Sequence, residues 1–273
     1  METLKKVAWP LLFVLVLAMS LVFLGGFAQV LAITQTQEVE NRESQVDPRS
    51  TDLSSGQEEN KPLSTDAPPP QTLLILGDSI GAGIGDERSL GIGGRMLGAM
   101  DFEEADALNL VNQAVPGSVT ADLVDLLKRG QVDQSIQEAK TIVVSIGGNN
   151  LNRMRNADTS LKVIEFEDRL LTHLQGLEEV LTYIHERNSQ VDLVLLGLYN
   201  PYGQTSALED IRLLHEWNYQ SRTKLLEVGG TYYVPLYDVF NGQLDTYLSI
   251  DDFHPSGAGY QRIADLVIEI LGD

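Results

Sequence analysis

Residues 72–85 read TLLILGDSIGAGIG. The five residues Thr72 to Leu76 carry no charge and stop at Gly77. A run this short and continuous suits a strand buried on both faces. Four further runs follow it: Leu108–Val111, Thr141–Ile146 (closed by Gly147-Gly148), Val191–Leu198 and Tyr232–Tyr237. Between them apolar residues recur at helical spacing, in Ser118–Lys128, Val163–Arg187, Leu208–Val228 and Ala258–Leu271. This alternation predicts one α/β domain over residues 71–273, with a five-stranded parallel sheet covered by helices on both sides. In such sheets reactive groups gather at the carboxyl ends of the strands.

The chain before this domain reads differently. Val7 to Phe27 is 21 positions without a charge, preceded by Lys5 and Lys6. As a helix it would span roughly 31 Å, enough for the core of a bilayer. Residues 1–32 are therefore expected to be a transmembrane anchor, or a secretory signal cut after Ala32. The run is longer than the usual signal core, which favours the anchor. Either way the lysines stay inside, and the rest of the chain is expected outside the cytoplasm: at the cell membrane as a single-pass protein, or secreted if the segment is cleaved. Residues 33–70 are rich in Gln, Glu, Ser, Asp and Pro, lack aromatic residues and end in three prolines. They are expected to form a disordered polar linker.

Of 273 residues, 19 are Lys or Arg and 39 are Asp or Glu, a net charge of −20. The domain carries −16 of it, which argues against nucleic acid as a partner because phosphates need a basic face. Cysteine is absent, so disulfides, thiolate nucleophiles and thiolate metal sites are excluded. No cluster of histidine and carboxylate at metal spacing stands out, and no metal or cofactor is expected.

Ser79 follows the first strand in a glycine-flanked turn, where its hydroxyl can be presented at the top of the sheet. A helix starting nearby would offer free N–H groups to developing negative charge. The plainer reading is that Asp78 or Ser79 caps a helix. A dinucleotide loop fails on spacing, because no Gly-x-Gly-x-x-Gly occurs between Gly77 and Gly94. A serine nucleophile needs a base. His173, His185 and His215 fall within predicted helices and read as ordinary helix residues. His254 instead lies on the loop before the last helix, in Asp251-Asp252-Phe253-His254-Pro255. Asp251 can turn back to its imidazole, and spacing alone leaves Asp252 open. Asn149, after the third strand, can donate to an oxyanion or simply occupy a turn. Gly117, after the second, can bring a bare N–H near a substrate or be a turn glycine.

Together these blocks resemble the SGNH hydrolases, also called GDSL-type esterases and lipases. Gly77-Asp78-Ser79 is similar to the first block, Gly117 to the second, Gly147-Gly148-Asn149 to the third and Asp251-x-x-His254-Pro255 to the fifth. The likeness covers residues 71–273 and is nearest to the membrane-tethered bacterial type. Asn150 departs from it, standing where the family usually has Asp. The resemblance implies a three-layer α/β/α flavodoxin-like sandwich and a carboxylic ester hydrolase. Its catalytic residues would be Ser79, His254 and Asp251, with an oxyanion hole of Ser79, Gly117 and Asn149. Expected substrates are small-molecule, lipid or acetylated-glycan esters. Expected membrane contact is through the N-terminal helix alone. The alternative is a non-catalytic glycan- or lipid-binding module on the same fold. Tyr199, Tyr202 and Trp217 are candidates for lining a pocket or for packing.

Overall fold

The computed structural model describes residues 71–100, 105, 108–154 and 163–272. The expected anchor and linker, residues 1–32 and 33–70, lie outside them. Among the described residues no helix is long and apolar enough to cross a membrane.

Five strands form one parallel sheet: β1 (Gln71–Gly77), β2 (Leu108–Asn112), β3 (Ala139–Ser145), β4 (Asp192–Leu196) and β5 (Thr231–Val234). Their spatial order is β2-β1-β3-β4-β5, the flavodoxin-like order. The chain reverses its winding between β1 and β3, so the carboxyl ends of those two strands flank the crevice where such sheets place ligands. Between and after the strands lie α1 (Gly91–Ala99), α2 (Thr120–Lys128), α3 (Asp133–Gln137), α4 (Gly148–Asn152), α5 (Val163–Arg187), α6 (Leu208–Leu225), α7 (Tyr237–Phe240), α8 (Leu244–Tyr247) and α9 (Gly257–Gly272).

Alternation along each strand sorts the core into two faces. Leu73, Ile75, Val143 and Val194 point to one side and meet Ile92 and Met96 of α1 and Tyr260, Ile263 and Val267 of α9. Leu74, Leu76, Ile142, Val144 and Leu193 point to the other and meet Leu123 and Leu127 of α2 and Leu177, Leu181 and Ile184 of α5. Each such buried side chain contributes roughly 1.5–3 kcal/mol relative to exposure. The result is a three-layer sandwich. β2 is the weakest of the expected runs because it is an edge strand and only half-buried.

Several boundaries differ from expectation. The fifth run stops at Val234, and Tyr237 opens the short helix α7 instead of ending the strand. The fourth stops at Leu196 rather than Leu198. No helix begins beside Ser79. Residues 79–85 form turns, closed by the Ala82 amide to the Asp78 carbonyl and the Ile84 amide to the Ser79 carbonyl.

Candidate active site

Gly77 ends β1 with φ +126°, and a Cβ there would run into the Ser145 carbonyl of β3. The two strands therefore close tightly, and the Asp78 amide donates to that carbonyl at 2.9 Å. The Asp78 side chain turns inward and is 2% exposed. It accepts from the Ile80 amide at 3.1 Å and the Ser145 hydroxyl at 3.0 Å. With Asp78 fixed beneath the turn, Ser79 faces the crevice.

His254 arrives from the other end of the chain. Its Nε2 lies 2.9 Å from Ser79 Oγ, and its Nδ1 lies 2.6 Å from Asp251 Oδ2. Asp251 Oδ1 accepts three more bonds: from the Ser249 hydroxyl at 2.8 Å, the His254 amide at 2.9 Å and the Phe253 amide at 3.0 Å. Burial pushes the Asp251 carboxyl up, but these bonds and the imidazole outweigh it and hold it well below the usual carboxylate range. An ionised Asp251 accepts a hydrogen bond from Nδ1–H, which keeps the proton on Nδ1 and leaves the lone pair of Nε2 facing Ser79 Oγ. Of the two aspartates that spacing left open, Asp251 is the one on the imidazole. Asp252 is exposed, in a left-handed conformation with φ 54°.

Two loops close the other side. Gly117 has φ +83°, and open space lies where a Cβ would stand. Asn149 Nδ2 donates to the Ser118 carbonyl at 2.9 Å, which leaves its second N–H free of that bond. The neighbouring Asn150 pins the same loops together. Its Oδ1 accepts from the Thr120 amide at 3.0 Å and the Thr120 hydroxyl at 3.1 Å. Both bonds need only a carbonyl oxygen, so an amide serves at this position where the resembled family has a carboxylate.

Thr120 Oγ1 also lies 2.6 Å from His173 Nδ1, and His173 Nε2 lies 3.1 Å from Ser221 Oγ. Thr120 has one proton, given to Asn150, so His173 must donate from Nδ1 and accept from Ser221. Burial pushes the His173 imidazole down to about 3, and it stays neutral. Its ring stacks on Trp217 at 4.5 Å, and both lie under Gly147, where a Cβ would sit 2.9 Å from the His173 ring. His173, expected to be an ordinary helix residue, is therefore part of the floor beneath the Asn149 loop. His185 and His215 take no part.

Of the aromatic candidates, Trp217 is buried in the core with Leu151, Phe166 and Leu213. Tyr199 stacks on Phe240, and its hydroxyl donates to the Phe253 carbonyl at 2.7 Å. Tyr202 sits edge-on to Phe253. Sequence reading also missed a brace behind the turn. Asp86 binds buried Arg95 at 2.6 and 2.9 Å, and Glu87 Oε2 accepts the Gly257 amide at 2.7 Å, tying the Ser79 turn to the start of α9. Among the described residues no group of three His, Asp or Glu side chains could hold a metal ion.

Buried Asp78 and His173 act on stability in opposite directions. Burial pushes the Asp78 carboxyl up to about 6, only partly offset by its hydrogen bonds. The folded state thus binds a proton that the unfolded state releases, and this contribution to stability is lost as pH rises from about 4 to 6. His173 does the reverse: the unfolded imidazole takes up a proton that the folded one refuses, so stability falls as pH drops below about 6.5. Asp78→Asn should therefore lose stability more steeply than wild type between pH 6 and 4, by roughly 1 kcal/mol per pH unit. Urea midpoints of both proteins across this range check it, and parallel slopes would contradict it.

Residues 75–262 match the model of the GDSL-like Lipase/Acylhydrolase family. The chain is 29% identical over 205 residues to the uncharacterized protein YpmR of Bacillus subtilis, covering 73% of this chain and 80% of that one. It is 27% identical over 205 residues to the spore germination lipase LipC of Bacillus licheniformis, covering 70% and 91%. Among solved structures, the lipase Lip_vut3 from a goat rumen metagenome superposes with a TM-score of 0.62 at 22% identity, covering 73% and 97%. That likeness is one of fold.

Proposed function

The chain belongs to the GDSL-like lipase/acylhydrolase family, and on that footing we propose that it is a serine esterase that works outside the cytoplasm, tethered by residues 1–32 and the linker 33–70. The observation that carries the reading is the unbroken hydrogen-bond chain Asp251–His254–Ser79, at 2.6 and 2.9 Å. Ser79 Oγ attacks the ester carbonyl carbon while its proton passes to His254 Nε2. The tetrahedral oxyanion is held by the amides of Ser79 and Gly117 and the free N–H of Asn149. Collapse expels the alcohol, which takes the proton from His254. Water then attacks the acyl-serine, again giving its proton to His254, and the carboxylic acid leaves as Ser79 recovers its hydrogen. Asp251 keeps its negative charge throughout and stabilises the imidazolium. The substrate is a carboxylic ester of a lipid or an acetylated glycan.

The first test is covalent. A fluorophosphonate probe should label the full chain once, and the mass increment should map to the peptide holding Ser79. An unlabelled protein, or a label on another serine, would overturn the assignment in favour of a binding module.

A further inference from the structure

A small cavity opens beside the three groups just described. Its walls include Ile80, Gly148 and Phe253, the immediate neighbours of Ser79, Asn149 and His254, and it is closed by Leu151, Tyr199 and Leu214. No charged side chain lines it. Its volume is about 40 Å³, against about 490 Å³ for the groove between α2 and α5. So small a space suits a short acyl chain and crowds a long one.

The walls are braced. Leu151 and Leu214 are buried in the cluster that holds Trp217 and Phe166. Tyr199 is clamped between its stack on Phe240 and its bond to the Phe253 carbonyl. Enlarging the cavity means displacing close-packed side chains, which interiors resist. A larger groove of about 490 Å³ between α2 and α5 contains none of the site residues and is edged by Glu178, Glu179 and Glu186. It is remote from Ser79 in chain and in element, and its rim, where Lys128 pairs with Glu179, is charged.

Resting on the serine-esterase reading above, we infer that the cavity of Ile80, Gly148, Leu151, Leu214 and Phe253 is the acyl subsite, and that it selects esters of short acids of two to about four carbons. The alcohol half lies outside it and is not selected there.

Gly148 gives the sharpest test. A Cβ there would meet Leu198 at 3.7 Å and Asp78 at 3.8 Å, ordinary contacts that require no shift. Gly148→Ala thus adds one methyl group to the cavity without straining the fold. The assay is kcat/KM of the full chain on p-nitrophenyl acetate, butyrate, hexanoate and octanoate, with Ser79→Ala as the blank. The wild type should be fastest on acetate or butyrate and at least tenfold slower on octanoate. Gly148→Ala should lower the butyrate-to-acetate ratio by about tenfold, the usual weight of one methylene in an apolar pocket. Leu214→Ala, if folded by circular dichroism, should raise the octanoate-to-acetate ratio. Ser79-dependent rates that climb to octanoate, or ratios unmoved by Gly148→Ala, overturn the subsite and leave the esterase reading standing. Fluorophosphonate labelling without turnover of any of these esters overturns the subsite as well. Neither labelling nor turnover overturns both.

Discussion

Ser79→Ala should lower kcat on a p-nitrophenyl ester by at least about 10⁴-fold, the scale on which hydrolases lose rate when the nucleophile is removed. KM should change by no more than a few-fold, because the hydroxyl acts on the reacting carbon and not on the rest of the substrate. Stability should barely move. Among the described residues the Ser79 side chain has one partner, His254 Nε2, and one such bond is worth roughly 0.5–1.5 kcal/mol net. Steady-state kinetics beside a thermal melt separate these quantities. A variant that keeps wild-type turnover would sink the mechanism.

Asp251→Asn should cost nearly as much, about 10⁴-fold in kcat, for a reason visible in the hydrogen bonds. Three donors converge on Oδ1: the Ser249 hydroxyl and the amides of Phe253 and His254. They will hold the carbonyl oxygen of an asparagine on that side. The amide N–H₂ is then forced to the Oδ2 position, facing His254 Nδ1. Two donors cannot share that contact, so the imidazole shifts its proton to Nε2 and turns an N–H toward Ser79. The ring stays in place but is in the wrong tautomer to accept the serine proton. Asp252→Asn, one residue on, should leave kcat within about twofold, since Asp252 is exposed and does not touch the ring. Equal losses in the two variants would show that the charge of the loop matters and not the contact.

These residues were unequally legible in the sequence. His254 stood out because it alone of four histidines lay on a loop between a strand and a helix. Asp251 stood out by its spacing, but the choice against Asp252 needed the contact of its carboxylate with the His254 ring. The helix α1 was not foreseen because Gly91, Gly93 and Gly94 argue against helix formation. Tertiary packing overrides that propensity: a Cβ on Gly93 would run into Leu110, and Gly83 abuts Gly91 too closely for side chains. The chain Asn150–Thr120–His173–Ser221 was invisible for another reason. Its members lie 30, 53 and 48 positions apart, on four different helices, and no local pattern links them. What read as a departure at Asn150 is accounted for only by what Thr120 offers it. The tether and anchor remain readings of composition.

The bond between Ser79 and His254 spans 175 positions of chain. A ribosome adding roughly 5–20 residues per second makes one about 10–35 s after the other. Helix α9 comes later still, and it covers Leu73 and Ile75 of the first strand. On the proposed mechanism the nascent polypeptide has its nucleophile but no base for that interval, and the α9 side of β1 is covered only by α1. On that reading catalytic competence is timed by the length of the chain, and esters met during biogenesis are safe from it until His254 is made and seated.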